Sequence, residues 1–175
     1  MSLSTANGSS QLPSQFQSHL AILRQTPFFR ECPMEALKVL AYLATQEVFA
    51  TGDYLFVQGE DDGRAYVLLE GEAQLVREAP AGVQPVRPVL AGEFLGGLSL
   101  LGPQPRVLSL RAETAVTCLV LSRERFSRIL AQMPAILPQI LKAVVEGIRN
   151  WEERLLVDAA CDCSRCRQLL GVSLL

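Results

Sequence analysis

The sequence predicts a mainly β domain flanked by helices. Three observations predict it. Apolar residues recur at helical spacing near both ends of the 175-residue chain. Between Gln46 and Leu121 the rhythm changes to short strand-like segments. Glycine-rich turns divide those segments at intervals of roughly 8–12 residues, the punctuation of a β-sandwich or barrel.

The elements follow in order. Residues 1–19 are polar and read as a disordered leader. Leu20, Leu23, Phe28 and Phe29 begin a helical stretch, and a second helix follows Pro33, with Met34, Leu37, Leu40, Ala41 and Leu43 on one face. EVFA ends at Thr51-Gly52-Asp53, YLFVQ at Gly59-Glu60-Asp61-Asp62-Gly63, and AYVLLE at Gly71. AQLVREA runs into APAGVQPVRP, read as a polar hairpin tip, and PVLAGEF, VLSLRA and VTCLVLS complete the strands. Ser122 is placed to cap the helix RERFSRILAQM. A longer helix spans roughly Ala135 to Ala159.

That last helix carries Leu137, Leu141, Val144, Ile148, Trp151 and Leu155 at alternating spacings of four and three. The pattern is a short coiled-coil seam, which implies a homodimer. The other reading is a helix packed on its own barrel.

Composition excludes several functions. Net charge is -2, so no basic excess points to nucleic acid. No apolar run reaches the ~18 residues that span a bilayer. The N-terminus has neither a basic patch nor an apolar core, so the expected compartment is the cytoplasm, with reduced thiols. Asp61, Asp62 and Glu60 form an acidic cluster, but in a glycine-bounded turn, where solvated turn chemistry is expected. His19 is the single histidine and is expected on a helix face. No phosphate loop and no His-Glu-x-x-His occurs, so no enzyme is expected.

The order and spacing of Gly52-Asp53, Gln58-Gly59-Glu60, Gly71 and Gly92-Glu93-Phe94 resemble the cyclic nucleotide-binding domain family, over roughly Leu20 to Pro134. The resemblance implies a jelly-roll-like β-roll, a double-stranded β-helix. It divides the chain into that domain at 20–134, a dimerisation helix at 135–159 and a cysteine tail at 160–175. It also implies a ligand, cyclic AMP or cyclic GMP, and a phosphate-binding cassette at Leu95-Gly96-Gly97-Leu98-Ser99-Leu100-Leu101-Gly102-Pro103-Gln104-Pro105-Arg106-Val107-Leu108. The physics suits an anion. A short helix opening after Gly96-Gly97 exposes N–H groups, and Arg106 offers a planar fork to phosphate oxygens. Arg106 is thus the expected anchor, Ser99 a hydroxyl or backbone donor, and Gly96, Gly97, Leu98, Val107 and Leu108 the lining.

Two departures from the family pattern stand out. Gly97 occupies the position of the family's glutamate, which accepts from the ribose 2′-hydroxyl; losing that bond costs roughly 1.5–3 kcal/mol. Val107 and Leu108 are bulkier than the family's small residues. The pocket therefore either binds a cyclic nucleotide or another small anion with altered contacts, or is vestigial, with Arg106 a structural residue at a barrel corner. In the second case the protein is an interaction module working through its helix seam.

The family's transcription factors follow this helix with a DNA-binding helix-turn-helix. Here CDCSRCRQLLGVSLL follows Ala160, with no basic recognition helix, so DNA binding is not expected, nor is a membrane partner. Cys161, Cys163 and Cys166 could ligate zinc or an iron–sulfur cluster, act as redox thiols, or simply belong to a loose tail. The expected function is a stand-alone sensor that signals through its last helix to an unidentified protein.

Overall fold

The computed structural model describes residues 11–80 and 82–159. Helix α1 (Gln11–Gln25) is followed by a short 3₁₀ helix (Pro27–Phe29) and α2 (Met34–Leu43). Eight strands come next: β1 (Thr45–Phe49), β2 (Tyr54–Phe56), β3 (Arg64–Glu70), β4 (Ala73–Ala79), β5 (Gly82–Val89), β6 (Phe94–Leu95), β7 (Ser109–Ala112) and β8 (Val116–Ser122). A second 3₁₀ helix (Gly97–Leu100) lies between β6 and β7. Helix α3 (Arg123–Gln132), a 3₁₀ turn (Pro134–Ile136) and α4 (Leu137–Ala159) follow the strands.

The strands form two four-stranded antiparallel sheets, in the orders β1-β8-β3-β6 and β2-β7-β4-β5. The strands of the two sheets interleave along the chain, the layout of the β-roll.

Alternation along β3 and β8 shows where the core sits. Tyr66, Leu68, Cys118 and Val120 face the roll interior, against Phe56, Leu75, Leu95 and Leu110. Ala65, Val67, Leu119 and Leu121 face the other way, onto Leu23, Phe29, Leu40, Phe126, Ile136 and Ile140 of the helices. A sheet covered on both faces needs apolar residues at every position. Hence AYVLL and VTCLVL read as continuous runs.

Two boundaries differ from the sequence reading, and one side chain is buried deeper than a helix face implies. Helix α1 begins at Gln11, inside the stretch read as leader. Phe16, Leu20 and Leu23 are spaced to lie on one helix face and pack on the helical cluster, but the polar residues between them mask the pattern. His19 faces inward from this helix. It is 9% exposed, its Nδ1 lies 3.4 Å from the Ala41 carbonyl oxygen, and its Nε2 has no partner among the described residues. Finally, most of the supposed hairpin tip is strand β5. Pro85 and Pro88 fit there because β5 is an edge strand, with no neighbour for the missing N–H groups on its outer side.

Ser122 caps α3 as expected, its hydroxyl accepting from the Arg125 N–H at 3.4 Å. On α4, Leu137, Leu141, Val145 and Ile148 are exposed, while Val144 is half-buried. The exposed stripe thus includes Val145 in addition to the predicted seam. The side chains of Trp151 and Leu155 lie outside the described residues, as do Cys161, Cys163 and Cys166. Among the described residues no single helix is long and apolar enough to cross a membrane.

Candidate functional site

The cassette is built by its glycines. Gly96 sits at φ 78°, the left-handed region, and caps the Gly97–Leu100 helix. A Cβ at Gly96 would lie 2.5 Å from Arg106 Nη1 and 2.7 Å from the Arg64 carbonyl oxygen. Only a glycine lets this guanidinium approach the backbone so closely.

The Arg106 backbone is held by the Gln58-Gly59-Glu60 turn. The Gly59 N–H donates to the Arg106 carbonyl and the Arg106 N–H donates to the Glu60 carbonyl, each at 2.8 Å. Gln58 extends the clamp: its N–H donates to Ser109 Oγ at 2.8 Å, and its Oε1 accepts from the Glu78 N–H at 3.0 Å. Ser109 in turn donates to the Glu78 carboxylate at 3.1 Å. The Gln-Gly-Glu motif therefore fixes where the cassette ends.

The Arg106 side chain is only 4% exposed. Its Nε and Nη2 donate to Asp62 Oδ1 at 3.0 and 2.6 Å, and Nη2 also donates to the Arg64 carbonyl at 2.5 Å. The guanidinium lies over the Phe56 ring, 4.2 Å from its centroid, in a cation–π contact. The Tyr66 hydroxyl lies 2.8 Å from both Asp62 Oδ2 and the Leu55 carbonyl oxygen, sharing one proton between two acceptors. Burial first, and Asp62 beside it second, hold the Tyr66 phenol well above the ordinary tyrosine range. Nη1 makes no hydrogen bond among the described residues. One edge of the fork is thus occupied, and the nitrogen over Gly96 retains donor capacity for an anion.

The acidic cluster, read from sequence as turn chemistry, is more than that. Asp61 and Asp62 do make turn bonds, to the Gly63 N–H at 3.2 Å and the Arg64 N–H at 3.4 Å. They also point at two different arginines. Asp61 pairs with Arg123, accepting from Nη1 at 2.9 Å and from Nη2. Hydrogen bonding from Arg123 is the main cause that lowers the Asp61 carboxyl below its usual range. Arg123 is the first residue of α3, and its Nε donates to the Ser99 carbonyl at 2.5 Å. One loop therefore ties the cassette helix to α3 through Asp61, and holds Arg106 through Asp62. Pairing across such sequence separations leaves no local signal, which is why the sequence did not show it.

The other predicted lining residues separate. Ser99 is buried, its N–H donates to the Gly96 carbonyl at 3.1 Å, and its hydroxyl has no partner among the described residues. Its amide is therefore committed, leaving the hydroxyl as the donor. Leu98 is half-buried. Val107 is exposed, whereas Leu108 is buried in the roll core beside Phe56 and Leu75. Gly97 is buried, and a Cβ there would meet Phe94 Cε1 at 2.8 Å and Phe28 Cε2 at 3.0 Å. A side chain at this position has no free space. Among the described residues no group of three or more His, Cys, Asp or Glu could hold a metal ion. A separate cleft of about 390 Å³ is lined by Tyr54, Val57, Glu78, Ala79, Gly82 and Val83, none of them cassette residues.

Comparison with known proteins agrees with this fold. The family model of the cyclic nucleotide-binding domain matches residues 46–133, half of the chain. The chain belongs to the cyclic nucleotide-binding domain family. It is 34% identical over 119 residues to a cAMP-dependent protein kinase regulatory subunit of Emericella nidulans, covering 67% of this chain and 28% of that protein. It is 25% identical over 135 residues to a CRP-like cAMP-activated global transcriptional regulator of Mycobacterium tuberculosis, covering 77% of this chain and 60% of that protein. The crystal structure of the N-terminal domain of a Streptomyces coelicolor transcriptional regulator matches with TM-score 0.68 and 30% identity, over 77% of this chain and 94% of that one. The chain thus spans between about a quarter and three fifths of the curated relatives named here. Within this family the domain is regulatory, and the cassette and Arg106 fall inside the matched segment.

Proposed function

We propose that the protein is a sensor that binds cyclic AMP, cyclic GMP or a related small anion in the β-roll, anchored on Arg106. The observation that carries this is the buried guanidinium held over Gly96, with Nη1 unused and apolar walls around it. Low-dielectric surroundings strengthen its attraction for an anion. Two relatives whose names specify cyclic AMP support the ligand class. Occupancy shifts the docking of the cassette helix on α3 through Arg123, and from there the packing of α4. The signal leaves through the exposed stripe Leu137, Leu141, Val145 and Ile148, by homodimerisation or to another cytoplasmic protein.

Calorimetric titration with each nucleotide tests the reading. Binding at micromolar concentration is expected, lost in Arg106→Ala and weakened in Arg106→Lys. The lysine variant keeps a cation for Asp62 but loses the fork, so it guards against misreading a folding defect. No heat at millimolar nucleotide with the fold intact would overturn the sensor. That result would favour the second reading, an interaction module, which the exposed α4 stripe supports by itself.

A further inference from the structure

We infer that the cleft beside the tip of the β4–β5 hairpin is a second ligand site, for a small organic monocation with an apolar body. The inference goes beyond the cassette and does not depend on Arg106 anchoring an anion.

The cleft lies on the outer face of the sheet β2-β7-β4-β5. Leu110 faces the roll interior, so its neighbour Ser109 on β7 faces outward, where its hydroxyl meets Glu78. Val83 is the direct cross-strand partner of Glu78 and shares that face. The volume, about 390 Å³, falls in the range of about 300–1,000 Å³ that small-molecule sites occupy. Tyr54, Val57, Ala79 and Val83 make the walls apolar. Tyr54 and Val83 are 38% and 49% exposed, large side chains that the fold leaves uncovered. Among the described lining residues Glu78 alone is charged.

That carboxylate is held in place. The Glu78 N–H donates to Gln58 Oε1 at 3.0 Å, and the hydroxyl of the fully buried Ser109 donates to Glu78 Oε1 at 3.1 Å. Oε2 accepts no hydrogen bond among the described residues, and no cation there pairs with the carboxylate. The nearby bases are committed or turned away. Arg111, the strand partner of Tyr54, gives Nε and Nη2 to Glu113 at 3.1 and 2.6 Å. Arg77 precedes Glu78 on β4, and strand alternation points it to the opposite face. The cleft therefore carries one negative charge without a counterion.

Charge and shape together select the occupant. An anion is repelled by Glu78. A neutral apolar molecule covers Tyr54 and Val83 but leaves Oε2 without a charged donor. A cation with an apolar body satisfies both, with its ammonium on Oε2 and its body against the walls, and the Tyr54 ring offers a face to the same charge. A second positive charge on the ligand finds no second carboxylate lining the cleft.

The test titrates the full chain with 2-phenylethylamine, 2-phenylethanol and phenylacetate, which share a body and differ in charge. Backbone amide shifts in two-dimensional NMR report where each binds. The expected result is saturable movement of the amides of Tyr54, Val57, Glu78 and Val83 with the amine at millimolar concentration. The alcohol should bind roughly fivefold more weakly, the size of an ion pair open to water on one side, and phenylacetate more weakly still. Glu78→Gln keeps an acceptor for Ser109 and should bring amine and alcohol to equal affinity. Val83→Lys sets an internal cation opposite Glu78 at an exposed position and should abolish amine binding. Glu72→Gln, an exposed acid at the start of the same hairpin, should leave the amine-to-alcohol ratio unchanged. A thermal melt of each variant shows that it is folded. The site is overturned if the amine produces no saturable shift, binds no tighter than the alcohol, or keeps its advantage in Glu78→Gln. It is also overturned if the same amides move with protein concentration alone, which would make the cleft a contact between two copies. Each of these outcomes leaves the cassette reading as it stands, because no lining residue belongs to the cassette.

Discussion

Gly97→Ala tests whether the cassette helix is jammed against the aromatic cluster. Phe28, Phe29 and Phe94 stack around it with ring centroids 5.0–5.4 Å apart. An added Cβ lies 2.8 Å from Phe94 Cε1 and 3.0 Å from Phe28 Cε2, below ordinary van der Waals contact. Overpacking of this kind costs roughly 1–3 kcal/mol. Gly97 does not hold a left-handed conformation, so alanine also gains about 0.4–1 kcal/mol through the unfolded chain. The net expectation is destabilisation by roughly 0.5–2 kcal/mol. For a chain of this size that lowers Tm by about 2–6 °C. The assay is urea and thermal unfolding of Gly97→Ala, Phe94→Leu and the double variant. Removing the ring should shrink the Gly97→Ala increment, a positive coupling. An alanine variant as stable as the wild type, or an increment unaffected by Phe94→Leu, would refute the argument. The same crowding predicts that Gly97→Glu costs more stability than alanine and gains no nucleotide affinity, since its carboxylate enters among phenylalanine rings.

Three further outcomes are expected. Tyr66→Phe leaves Asp62 Oδ2 and the Leu55 carbonyl short of a donor and should cost about 1–3 kcal/mol in urea unfolding. Because the Tyr66 phenol is held above its unfolded value, its stabilisation is complete below pH ~10 and lost as pH rises past it. Ultraviolet titration should therefore show one tyrosine that ionises only with alkaline unfolding. Burial pushes the Cys32 thiol up to about 11 and the Cys118 thiol up to about 12, so both should resist alkylation at pH 8 until the protein unfolds, read by peptide mass spectrometry. Leu141→Glu places a charge in the exposed α4 stripe; sedimentation should show a lighter species than the wild type if two copies meet there, with the melting temperature of the monomer little changed.

The sequence by itself determined the class of fold. Apolar runs between glycine turns specify strands locally, while the expected cassette from Gly96 to Arg106 was located by resemblance to the family pattern. Local signals also placed the Ser122 cap. The first turns of α1 escaped because a stripe of three apolar residues is diluted by glutamine and serine. Strand β5 escaped because proline forbids a central strand but not an edge, and which strand is an edge is a property of the whole sheet. The partners of Arg106 were decided only by tertiary structure. Asp62 lies 44 positions away, Phe56 belongs to strand β2, and the space beside Gly97 is filled by Phe28 from the N-terminal segment. Charge pairing and close packing depend on distances in space, and no periodicity along the chain encodes them.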